Sequence, residues 1–224
     1  EEPRFAKANA GFRHVCQLVH VPPFRGQGES TPLKHFFQNL GEAEMVVATF
    51  MYMRLLGHPA ASVSIITPYN GQRALITDIV QRRCAPYPEF GLPAKIATTD
   101  KFQGQQNDII LLSLVRTKHV GHIRDVRRLI VSVSRARLGL LVFCDRGLYE
   151  HCAELQPVFK QLLAQPDRLE LLPHEAHPTE RLISDETPPP LQVVDTDHML
   201  GLVAEMAFEA RQAEARAYAQ GFAG

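Results

Sequence analysis

Three short, almost uninterrupted apolar runs constrain this chain more than anything else in it: Ser62–Thr67 (SVSIIT), Asp108–Val115 (DIILLSLV) and Gly139–Cys144 (GLLVFC). Runs this short and dense suit strands covered on both faces, and such strands belong to parallel sheets. Phe12–Val21 (FRHVCQLVHV) partly alternates and is expected as a further strand. Helix-length segments separate the runs. Glu42–Leu56 has broad apolar coverage and stops at Gly57, and Gly71–Cys84 places Leu75, Ile76, Ile79 and Val80 at helical spacing. Arg124–Arg137 carries Leu129, Ile130, Val131 and Val133 between terminal arginines, which predicts a largely buried helix with charged ends. Strands alternating with helices predict an α/β domain, a parallel sheet flanked by helices.

That pattern ends near residue 172. Pro173, Pro178 and Pro188–Pro190 then interrupt it, among acids such as Glu175, Glu180, Asp185 and Glu186. Residues 1–172 are therefore expected as the α/β domain and 173–196 as an acidic, proline-containing linker, extended or disordered. Residues 197–224 are expected as a helical tail, in which Asp197–Ala219 is amphipathic with Leu200, Val203, Met206 and Tyr218 among its apolar positions. The four cysteines form no CxxC pair, which reads as reduced thiols. No apolar segment reaches bilayer-spanning length, so no membrane partner is expected. The opening Glu1-Glu2-Pro3-Arg4 resembles no targeting signal and lacks an initiator Met, so the chain is expected to be part of a longer polypeptide.

Formal net charge is zero, so any case for an anionic partner has to be local. It is local in Arg116–Arg137. Seven Lys/Arg residues (Arg116, Lys118, Arg124, Arg127, Arg128, Arg135, Arg137) stand there against one acid, Asp125. A solvated charged face is one reading. The other is that a guanidinium at an element boundary, as in Ser134-Arg135-Ala136-Arg137 before a strand, forks onto phosphate oxygens. There is no GxxxxGK[ST] loop and no Gly-Lys pair, so the main phosphate grip of a nucleotide site is missing from this chain. His119/His122 and His174/His177 sit three apart without cysteine or acid at ligand spacing, and no metal site is expected.

Three segments in order, IITPYNGQR (65–73), ATTDKFQGQQND (97–108) and DVRRLIVSVSRARLG (125–139), resemble helicase motifs IV, V and VI. Over roughly residues 12–150 the chain is similar to the second RecA-like domain, a P-loop NTPase fold, of superfamily 1 RNA helicases related to the nonsense-mediated-decay helicase. QNLGEAEMVVATFMYMRLLGHPA, QGQQND, LLSLVRTKHVGHIRDVRRL and LLPHEAHPTER extend a closer likeness, to an intron-binding spliceosomal member of that family, to about residue 181.

The resemblance implies ATP and Mg²⁺ bound mainly by a first RecA-like domain of the same polypeptide. It implies that Arg135 is the catalytic arginine finger. Gln103, Gly104, Gln106 and Arg128 would complete the nucleotide-binding set with Arg135. Thr67, Pro68, Tyr69, Thr98 and Thr99 would face single-stranded RNA, that of a pre-mRNA intron, in a nuclear protein with spliceosomal partners. For Tyr69 a buried packing role is the alternative. Gln106 stands where relatives often carry Glu, Leu40 where they often carry Arg and Ile130 where they usually carry Asn. Leu40 would thin the positive charge beside Arg135. These departures keep open a non-catalytic scaffold that binds RNA or spliceosomal proteins. A DNA helicase of the same superfamily is also open, because motif chemistry does not read the 2′-hydroxyl.

Overall fold

A computed structural model describes residues 5–221. Glu1–Arg4 and the last three residues of the expected tail lie outside the described residues. The apolar runs become strands β4 (Val63–Thr67), β6 (Asn107–Ser113) and β7 (Ala136–Cys144), joined by β1 (Cys16–His20) and by a short strand without its own apolar run, β5 (Lys95–Thr98). All are parallel, in the order β1-β7-β6-β4-β5. This is the helix-flanked sheet of a RecA-like α/β fold. Because every strand runs the same way, all N-terminal ends line one edge of the sheet, the entry edge, and all C-terminal ends the other, the exit edge.

Successive strand residues point to opposite faces, and each face has its own core. Val63, Ile65, Leu111, Leu141 and Phe143 pack beneath α1 (Leu40–Leu55) and α2 (Asn70–Arg83). Leu18, Ile66, Ile110, Leu112 and Val142 pack on the other face, with Leu129 of α3 (Val126–Val133), Tyr149 of α4 (Arg146–Tyr149), and Phe159 of α5 (Gln156–Leu162). Helix α1 is apolar nearly all round and buried from Gly41 to Met53, so it needs cover on its outer side as well. Helix α6 (Thr196–Gly221) supplies it, burying Met199, Val203 and Ala207 at i, i+4 and i+8. Of the apolar positions expected on the tail, Leu200 and Met206 pack at the margin, whereas Tyr218 is 70% exposed. Among the described residues no helix is long and apolar enough to cross a membrane.

Two expectations change. The helix expected across 124–137 is only eight residues long and lies on the surface. It buries Leu129 and Ser132 and leaves Ile130 48% exposed. Asp125 caps its start by accepting from Arg127 N, and Ser134 ends it before β7. The stretch 173–196 is tied down rather than disordered. His177 N donates to Leu56 O, Ala8 N to Arg181 O, Ile183 N to Ala6 O and Val193 N to Leu169 O, at 2.7 to 2.9 Å. Arg181 bridges Glu175 and Phe12 O. β9 (Leu191–Gln192) pairs antiparallel with β8 (Glu170–Leu171), and Val193 is buried. Proline and acid content lowers local propensity, but these partners lie up to about 175 residues away, where composition carries no information.

A hairpin of β2 (Glu29–Leu33) and β3 (Phe36–Asn39) stands at the exit edge against α2. Gly71 makes that approach possible: a Cβ there would lie 2.5 Å from Phe37 O and 3.1 Å from Phe36 C. Both are backbone atoms, so a side-chain rotation gives no relief. Gly71→Ala is expected to destabilise the domain by about 2 kcal/mol through overpacking. The check is a lowered urea midpoint at unchanged slope.

Candidate functional site

The positions singled out by sequence divide between the two edges. Gln103, Gly104 and Gln106 lie in an exposed turn before β6, at the entry edge. Gly104 is at φ 75°, where a glycine costs least. Arg135 immediately precedes β7, and its carbonyl accepts from Asn107 N at 3.1 Å, so both segments enter the sheet side by side. The Arg135 guanidinium donates to Val131 O (2.8 Å), Gln105 O (3.3 Å) and Ser134 Oγ (2.9 Å). All three acceptors are neutral.

That is unusual within its own segment. The other arginines of 116–137 find carboxylates: Arg116 with Glu29 (2.9 Å), Arg124 with Glu154 (2.7 Å), Arg127 with Asp125 (3.0 Å), Arg128 with Asp100 (3.6 Å) and Arg137 with Asp108 (2.8 Å). Among the described residues, Arg135 alone of the segment's arginines has no carboxylate partner. The local excess of positive charge is therefore largely compensated from elsewhere in the chain. The remaining uncompensated guanidinium is oriented by backbone, partly exposed, and able to take an anion without first breaking an ion pair.

Arg128 does not join that group. Arg135 lies beyond the C-terminal end of α3 at Val133, whereas Arg128 sits near the start of that helix. It lines a cleft at the exit edge with Pro68, Thr99, Asp100, His122 and Ile123. Burial, and then the nearby Arg128 charge, holds His122 below the usual histidine range. Leu40 also belongs to the exit edge: the preceding Asn39 Nδ2 donates to Val115 O, just past the end of β6. Arg135 lies at the start of β6, roughly 20 Å away along the strand. The expectation that Leu40 thins the charge beside Arg135 is thereby corrected: the two positions stand at opposite ends of β6.

Thr67, Pro68, Tyr69, Thr98 and Thr99 do converge at the exit edge, at the ends of β4 and β5. The structure buries four of these side chains, Pro68 being half-buried. Ser132 Oγ donates to Arg128 O, which leaves it to accept from Thr99 Oγ at 3.0 Å. The Tyr69 ring lies between Phe37 (5.4 Å) and His122 (4.5 Å), so the packed alternative replaces base stacking for this tyrosine. His122 and Asp100 were not among the expected contacts. The readable signal was that each follows a buried strand at the edge where parallel sheets meet ligands. Among the described residues no group of three or more His, Cys, Asp or Glu is placed to hold a metal ion.

The sequence family described as AAA domain matches residues 7–147. The RNA helicase aquarius of Mus musculus is 56% identical over 192 residues, covering 86% of this chain and 13% of the mouse protein. The pre-mRNA-splicing factor cwf11 of Schizosaccharomyces pombe is 30% identical over 204 residues, 91% of this chain and 16% of that protein. The ATP-dependent helicase upf1 of the same yeast is 34% identical over 123 residues, 52% of this chain and 13% of its own length. The chain thus spans less than a fifth of each of these relatives.

Proposed function

The chain belongs to the AAA domain family as a superfamily 1 helicase domain, and from that premise we propose that it is the second RecA-like motor domain of an ATP-dependent RNA helicase of pre-mRNA splicing. The uncompensated guanidinium of Arg135 carries this reading. Phosphoryl transfer develops charge on the transferring group, and an oriented arginine stabilises it. Arg135 fits an anionic phosphate because its seat leaves the cation without a counter-charge. Gln103, Gly104 and Gln106, beside it, are assigned to the nucleotide, with the Gln106 amide hydrogen-bonding a hydroxyl in place of a charged contact. ATP and Mg²⁺ are assigned mainly to a first RecA-like domain of the same polypeptide, which brings the phosphate loop.

The exit edge is assigned to single-stranded RNA, an intron in the proposed setting, in a nuclear protein with spliceosomal partners. Arg128, exposed and 3.6 Å from Asp100, offers the donors for phosphate oxygens, and Pro68 and His122 shape the cleft beside it. Arg128 moves in this reading from the nucleotide set to the RNA set. The test uses the 224-residue chain and a fluorescent single-stranded RNA. Binding that weakens with salt is expected, without ATP turnover by the chain alone. Arg128→Ala is expected to weaken binding to all sequences alike and to reduce the salt slope by about one phosphate contact. An unaltered salt slope removes Arg128 from the RNA path, and robust ATP turnover by the chain alone overturns the half-site reading.

A further inference from the structure

At the exit edge, β6 leaves the sheet through Val115 at φ 77°. A β-branched residue rarely adopts that conformation, which persists only where its surroundings over-determine it. Here they do. Arg116 N donates to Leu114 O (2.9 Å), closing the turn. Val115 N donates to Glu42 Oε2 (2.8 Å), Asn39 Nδ2 to Val115 O (3.1 Å) and the Tyr149 hydroxyl to Leu114 O (3.1 Å).

The turn delivers Arg116 into a buried seat. Its Nε donates to Glu29 Oε2 at 2.9 Å, and its guanidinium lies 4.0 Å from the Phe37 ring centroid and 5.9 Å from that of Tyr69. Glu29 Oε2 also accepts from Thr117 N (2.7 Å) and Lys118 N (3.3 Å), so the β2–β3 hairpin grips the start of the loop that follows β6. Gly121, at φ 69°, rests on the same cluster: a Cβ there would lie 2.6 Å from the Tyr69 hydroxyl and 2.7 Å from Arg116 Nη1. The next residue is His122, whose ring lies 4.5 Å from Tyr69 and which lines the Arg128 cleft.

We propose that Arg116 is a positioning residue for the RNA edge: seated by Glu29, it supports Tyr69 and Gly121 from beneath and so sets where His122 and Pro68 stand in the cleft. This rests on the RNA reading of that edge. The role needs a flat, forked cation, which can pair with a carboxylate and lie on a ring at once. A lysine keeps the charge and loses the plane.

The test is Arg116→Lys in the 224-residue chain, with two readouts: affinity for a single-stranded RNA dodecamer, and the NMR signals of His122. With the rings 4.5 Å apart, those signals are expected to carry a ring-current shift from Tyr69 in the native chain. In Arg116→Lys the shift is expected to collapse and the affinity to fall about tenfold with the chain still folded. Unchanged affinity overturns the proposal, and so does lost affinity with His122 unmoved, since that result assigns the effect to something other than position. If the native chain fails to bind the dodecamer, the RNA reading falls. His122 then decides alone whether Arg116 positions it, and an unmoved ring overturns the proposal. Should Arg116→Lys not fold, the near-isosteric Glu29→Gln, which loosens the seat from the other side, is read by the same two measurements with the same criteria.

Discussion

Replacing Arg135 with alanine in the full-length protein is expected to lower ATP turnover by about 10³-fold or more, the range in which arginine fingers act. The stability of this domain is expected to stay nearly constant. The three contacts that seat the guanidinium go to Val131 O, Gln105 O and Ser134 Oγ, close enough to solvent for water to replace it. No carboxylate is orphaned by the change, which sets Arg135 apart from Arg116 or Arg137. An interaction made chiefly in the transition state lowers kcat far more than it raises KM. Arg135→Lys is expected to recover only part of the loss, because an ammonium cannot occupy this three-acceptor seat and reach a phosphate as well. Steady-state kinetics on the full-length variants, with thermal unfolding of the same preparations, check both halves. Turnover within tenfold of the unsubstituted protein would remove Arg135 from the reaction.

The second large effect concerns stability. Glu42 is fully buried near the start of α1 and accepts from Ser113 Oγ (2.6 Å) and Val115 N (2.8 Å), with Asn39 Nδ2 at 3.3 Å from its other oxygen. Among the described residues no cation pairs with it, and burial pushes its carboxyl up to about 8, with Asp145 adding a smaller push. The unfolded chain releases this proton near the ordinary glutamate value, about 4.3. Between there and about 8 the folded protein binds the proton and the unfolded chain does not. Stability therefore falls as pH rises through that window and levels off above it. His58, held down to about 4 by burial, contributes the opposite slope below the ordinary histidine value, so a single curve does not isolate Glu42. Glu42→Gln does: it keeps an acceptor for Ser113 and Val115 but has no proton to lose. The difference between unsubstituted and Glu42→Gln stability is expected to change by on the order of 3 kcal/mol between pH 5 and pH 8.5, moving in the variant's favour as pH rises. Urea unfolding across that range measures it, and parallel curves would refute a protonated Glu42.

Some of this was present in the chain before any folding. Dense apolar runs such as DIILLSLV and GLLVFC suit strands covered on both faces, and helices must supply that cover. The parallel sheet, α1 and α2 follow from that local arithmetic of burial. So does the gathering of Thr67–Tyr69 at the end of one buried strand and of Gln103–Gln106 at the start of another. β5 has no readable signature because four residues, KIAT, carry too little pattern.

Tertiary structure decided the charges and the access. Arg135 and Arg137 are two residues apart and alike in sequence, yet only Arg137 meets a carboxylate, from a strand nearly thirty residues earlier. Arg116 is compensated by Glu29, 87 residues earlier in the chain, and Tyr69 is enclosed by Phe37 and by His122 from a loop about fifty residues later. Ion pairing and burial depend on which groups meet in space, and most of these meetings join segments that composition and periodicity treat as unrelated. The sequence alone carried a helix-flanked parallel sheet and a cluster of arginines. Which of those arginines is left without a carboxylate among the described residues was decided by tertiary structure, which brought acids from elsewhere in the chain to most of the others.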